Sequence, residues 1–151
     1  VQLPAIFDGL RRPGLVAAVD AALTAAGVQP QDVVIVDGDV ALAAALAASG
    51  RVVQTVVSGK AARRAPSPID ALPSTPAVAA VVLAPRGAVP DDAFARAAAA
   101  ILDGGALVLV ARVAAAEATR RALCAGLSEI EQRTVGGAFV TSGLVTTWAA
   151  P

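Results

Sequence analysis

Asp37 and Asp39 flank Gly38 directly behind the β-branched run Val33-Val34-Ile35-Val36. Two carboxylates at such a turn could hold a metal ion or work as an acid–base pair, because open α/β sheets bind ligands at the carboxyl ends of their strands. The plainer reading makes Asp37 a turn former and Asp39 a helix N-cap, and the residue types favour it. Little else in the chain offers chemistry. It contains no histidine, so proton transfer at neutral pH would fall to a shifted carboxylate or to Lys60, the only lysine. Cys124, the one cysteine, has no histidine to activate it and reads as a small core residue. No Ser/His/Asp set, metal-ligand cluster or phosphate-cradling glycine loop is present in the sequence. Lys60, Arg63 and Arg64 could grip a phosphate, but a solvated loop explains them more simply. Arg120 and Arg121 fit the polar face of a helix, and Asp91 and Asp92 fit the first turn of another. Trp148, the only tryptophan, either packs a core edge or anchors a partner.

The chain around these residues is apolar. Of its 151 residues, 56% are hydrophobic and 16% charged, enough for one domain with one core over residues 1–151. The alanine enrichment suggests, from composition alone, a high-GC bacterial source. An apolar chain this short has difficulty covering its own surface, so a protein partner or self-association is expected. Lys plus Arg and Asp plus Glu are balanced at 12 each, which provides no field to steer nucleic acid or an anionic membrane and favours association. A lone cysteine forms no internal disulfide, and with no segment reading as a signal peptide or membrane span the expected location is cytoplasmic.

The elements that must position the Asp37–Asp39 turn follow from periodicity and punctuation. Residues 13–27 carry apolar residues at helical spacing and end at Gly27. Residues 33–36 form a strand buried on both faces. An alanine-rich helix over 40–49, closed by Gly50, leads to a strand over 51–57, giving one right-handed βαβ unit. Residues 58–76, rich in proline and basic residues, read as a long loop. A strand is expected over 78–83 and a helix from 90 to 102, ended by Asp103-Gly104-Gly105. A strand over 106–112, a helix over 114–125 and a hairpin over 128–148 turning at Gly136-Gly137 complete the chain. The order predicts an α/β three-layer sandwich, with a mostly parallel sheet and a C-terminal antiparallel hairpin.

Three passages resemble the class I S-adenosylmethionine (SAM)-dependent methyltransferases. ALAAALAASGRVV, from Ala41 to Val53, looks like the helix and second-strand entry behind that family's glycine motif. Asp70-Ala71-Leu72-Pro73 followed by Val78-Ala79-Ala80-Val81-Val82-Leu83 looks like the passage into its fourth strand. Ile101-Leu102-Asp103-Gly104-Gly105-Ala106-Leu107-Val108-Leu109 looks like its turn into the fifth. The resemblance implies a Rossmann-like methyltransferase fold, here shortened between strands 2 and 4.

The family's cofactor residues are largely missing at the matching positions. Its first strand carries an acidic residue, which falls on Val34, and leads into a G-x-G-x-G turn, which falls on Val36, Gly38 and Val40. The acidic residue that holds the ribose hydroxyls at the end of the second strand falls on Val56. Valine disfavours the backbone conformations of such turns, and unpaired ribose hydroxyls would lose roughly 1–3 kcal/mol per bond. The expectation is therefore a degenerate methyltransferase-like domain with no cofactor, no metal and no catalysis, acting as a structural or interaction module in a homo-oligomer or larger complex. Two alternatives stand beside it. One is a SAM-dependent methyltransferase whose atypical site uses Asp37, Gly38 and Asp39; the other is a small-ligand-binding regulator that uses the 58–76 loop.

Overall fold

The computed structural model describes residues 3–56, 72–73, 75–84, 93–111, 115–135 and 138–145. Helix α1 (Leu3–Ala25) precedes strand β1 (Val33–Asp37), helix α2 (Val40–Ala48) and strand β2 (Val52–Val56). Then come β3 (Val78–Leu83), α3 (Ala93–Ala99), β4 (Ile101–Ala111), α4 (Ala115–Cys124), β5 (Leu127–Val135) and β6 (Ala138–Val145). The sheet order is β2-β1-β3-β4-β6-β5. The first four strands of that order run parallel, and β6 pairs antiparallel with both β4 and β5.

Strand alternation divides the core between the two faces. Val34, Val36, Ala80, Val82, Ala106 and Val108 pack toward Val19 and Leu23 of α1 and Leu42 and Leu46 of α2. Ile35, Val81, Leu83, Leu107 and Leu109 pack toward Phe94 of α3 and Ala118 and Ala122 of α4. The sheet is thus covered on both faces, as the continuous apolar strands require.

α1 begins well before Pro13 and runs through it, so that proline is not the helix start its residue type suggests. A larger correction concerns Asp103-Gly104-Gly105, which lies inside β4 instead of ending a helix. Ile101 already pairs with Val78, and the register then shifts before Ala106 pairs with Ala80. Gly104 takes the left-handed backbone needed for that irregularity, at φ 82°. At Gly105 a Cβ would lie 2.3 Å from the carbonyl oxygen of Ala79 and 2.5 Å from Cγ2 of Ile101. The glycines therefore serve close strand packing.

Candidate functional site

The chain leaves β1, crosses through α2 to β2 on one side, and returns to β3 on the other. This reversal falls at the carboxyl ends of β1 and β3, the place where ligands of open α/β sheets bind. Asp37 ends β1 there, in register with Leu83 of β3 and Val56 of β2. Its backbone carbonyl accepts a 2.8 Å hydrogen bond from the Ala84 N–H, which ties the two strand ends together.

Asp37 is only 4% exposed. Its carboxyl has no hydrogen-bond or ion-pair partner among the described residues. Burial pushes it from an ordinary 3.8 up to about 6, because removing water penalises the charged form. The neighbouring elements α2, β2 and β3 contain no ionisable residue. Sequence reasoning placed Asp37 in a turn and missed its burial. The signal was its direct continuation of the β-branched run.

Gly38 follows with φ 99°, a left-handed conformation suited to a residue without Cβ. Asp39 is the N-cap of α2. It is extended at φ −137°, and its Oδ1 accepts from the Leu42 N–H at 2.9 Å. The capping role expected from sequence is therefore present at Asp39, while Asp37 is the buried last residue of a strand.

The valines aligned with cofactor positions occupy different environments. Val34 and Val36 are fully buried beneath α1 and α2, because strand alternation turns them to that face. Val40 opens α2 and is 58% exposed. Val56 is the last residue of β2. Lys60, Arg63, Arg64, Asp91, Asp92 and Trp148 lie outside the described residues, as does the 58–76 loop apart from its last few positions. Arg120 and Arg121 both hold Glu117, at 2.6 Å and 3.0 Å, so they form a local surface cluster. Among the described residues no group of acidic, histidine or cysteine side chains could hold a metal ion, and no helix is long and apolar enough to cross a membrane.

Sequence reasoning also missed Arg51, which is 8% exposed at the entry to β2. Its guanidinium reaches Asp20 Oδ1 at 2.5 Å, Thr24 Oγ1 at 2.9 Å and the Val28 carbonyl at 3.3 Å. It braces the α1 end of the fold against the sheet, away from the carboxyl edge.

Several solved structures share this architecture. A chain of the Haloferax volcanii complex between the Trm112 methyltransferase activator and its candidate methyltransferase superposes with TM-score 0.68 at 14% identity, over 96% of this chain and 98% of that one. The fold is that of the class I SAM-dependent methyltransferases. The SAM-dependent methyltransferase SibL, solved in its apo form, matches with TM-score 0.63 at 15% identity; 93% of this chain covers 56% of SibL. The Burkholderia thailandensis 1,6-didemethyltoxoflavin-N1-methyltransferase, solved with its substrate and S-adenosylhomocysteine, matches with TM-score 0.61 at 15% identity over 95% of this chain and 87% of that one. No protein-family model and no curated protein matches the sequence.

These matches correct the expectation of no cofactor. SibL is SAM-dependent, and other neighbours of this fold were solved with SAM or S-adenosylhomocysteine bound, against the expectation of none. Strand alternation places Val36 in the core, and Val40 is exposed to solvent at the start of α2.

Proposed function

We propose that this methyltransferase-fold domain binds SAM at the carboxyl ends of β1 and β3, through an atypical turn formed by Asp37, Gly38 and Asp39. One observation carries the reading: Asp37, mostly buried, with carboxyl oxygens not sealed from solvent and no side-chain partner among the described residues, ends β1 beside a left-handed glycine, at the point where the strand order reverses. A buried carboxylate is costly unless a ligand or another group satisfies it. SAM carries an ammonium group and ribose hydroxyls that donate to a carboxylate acceptor, and a sulfonium charge that a carboxylate balances. When bound, SAM supplies an electrophilic methyl group. Within this chain Asp37 accepts from the ligand, Gly38 keeps the backbone open beside it, and Asp39 fixes the first turn of α2. Titration calorimetry of the chain with SAM and with S-adenosylhomocysteine tests the proposal. Saturable binding that weakens at least tenfold in Asp37→Asn is expected. No heat from either ligand at millimolar concentration overturns it.

A second reading joins the first: the domain binds SAM but acts through a protein partner and catalyses nothing itself. Two observations favour it. The described carboxyl edge offers Asp37 and Asp39 as its ionisable groups, and the Haloferax volcanii neighbour was solved with a methyltransferase activator. Turnover of SAM by the isolated chain with a general methyl acceptor would exclude the non-catalytic role.

A further inference from the structure

The two edges of the sheet are built differently. β5, at one end, is guarded. Its register against β6 shifts between Ser128 and Glu131, Glu129 takes a left-handed backbone at φ 51°, and Glu129, Glu131 and Arg133 place charges along it. Bulges and charges are the devices by which edge strands resist pairing with another chain. β2, at the other end, has none of them. It pairs with β1 in unbroken register from Val33↔Val52 to Asp37↔Val56. Its sequence, Val52-Val53-Gln54-Thr55-Val56, holds no charge, proline or glycine. Val52 is 46% exposed, and Gln54 and Thr55 are exposed as well. Among the described residues, nothing pairs with the outer edge of β2.

We propose that this edge is where a second copy of the chain pairs, antiparallel and about a two-fold axis at Gln54. The sequence of β2 is nearly its own reverse. Antiparallel pairing centred on Gln54 sets Val52 against the partner's Val56, Val53 against the partner's Thr55, and Gln54 against itself. β-branched pairs of this kind stabilise a sheet, and a glutamine amide both donates to and accepts from its twin. The contact is isologous, as most homodimer interfaces are. A foreign strand would gain nothing from this self-complementarity, which is why a second copy is the occupant. The zero formal net charge removes long-range repulsion between copies. A seam of five residues is short, so the dimer is weak and concentration-dependent. The inference is independent of what the carboxyl edge binds.

Sedimentation velocity over a wide concentration range tests it on the wild-type chain, Gln54→Lys, Gln54→Glu and their equimolar mixture. The wild type should dimerise as concentration rises. Each variant alone sets like charges on the axis and should associate at least tenfold more weakly, while the mixture should recover dimer. Gln54 is exposed, so melting curves of the separate variants should match the wild type and show that folding is intact. A wild type that stays monomeric overturns the proposal. So does a dimer that persists unchanged in Gln54→Lys, since that puts the interface elsewhere.

Discussion

Asp37 and Glu117 are two carboxylates whose surroundings move them in opposite directions. Glu117 is drawn down to about 2, chiefly by its hydrogen bond from Arg120 and then by that from Arg121, but this cluster is at the surface and contributes little to stability. Asp37 is pushed up to about 6 by burial. The folded state therefore holds its proton more tightly than the unfolded chain. Its contribution to stability is whole below 3.8, drains away as pH rises toward 6, and stays lost above that. Asp37→Asn keeps the shape and removes the charge. Urea unfolding at pH 7.5 should show the variant more stable by about 1–3 kcal/mol, with the gain vanishing near pH 3.5. Equal stability at pH 7.5 would mean that the carboxylate is satisfied in the folded protein. A residue that costs stability at working pH and recovers it on binding a ligand is typical of functional sites. None of this was legible in Asp37-Gly38-Asp39 as a string, because a turn aspartate and a buried strand-end aspartate are the same letter. The Asp39 cap was legible, because capping depends on local backbone geometry alone.

Elements were readable where they depend on their own residues, and misread where a neighbouring strand decides. The sequence-based reading of 78–83 as a strand coincides with β3, and the helix behind Asp39 matches α2 closely. The start of β4 was misread because two adjacent glycines resemble a helix end, whereas close packing against β3 is what requires Gly105. Gly105→Ala puts a methyl group against the Ala79 backbone, which cannot yield without moving β3 from β4. Thermal or urea unfolding should show a loss of about 3 kcal/mol or more, or no folded protein at all. Arg51 sets a similar test between elements. Arg51→Ala leaves Thr24 and the Val28 carbonyl without their donor and should cost about 2–4 kcal/mol. Asp20→Ala should cost clearly less, because Asp20 is 41% exposed and Arg51 keeps its other partners. If the two cost the same, the ion pair alone carries the brace.

At the scale of the whole molecule, the layered α/β architecture was legible because βα alternation followed by a hairpin admits few topologies. The strand order was not written in any one segment. It arises from the return of the chain to β3 on the far side of β1, and Asp37 sits at that reversal. The same order makes β1, β3, β4 and β6 interior strands and leaves β2 and β5 at the edges. Hydrogen exchange should follow this ranking. Amides of β3 and β4 should exchange only with global unfolding, and those of the two edges through smaller local openings. The edges should then separate from each other as the protein is concentrated. Protection of β2 rises with concentration if its open edge takes up a second copy, while that of β5, with its bulge and charges, does not. Mass-spectrometric exchange at two protein concentrations reads both strands in one experiment. A concentration-dependent gain at β5 in place of β2 would reverse the assignment of which edge is guarded.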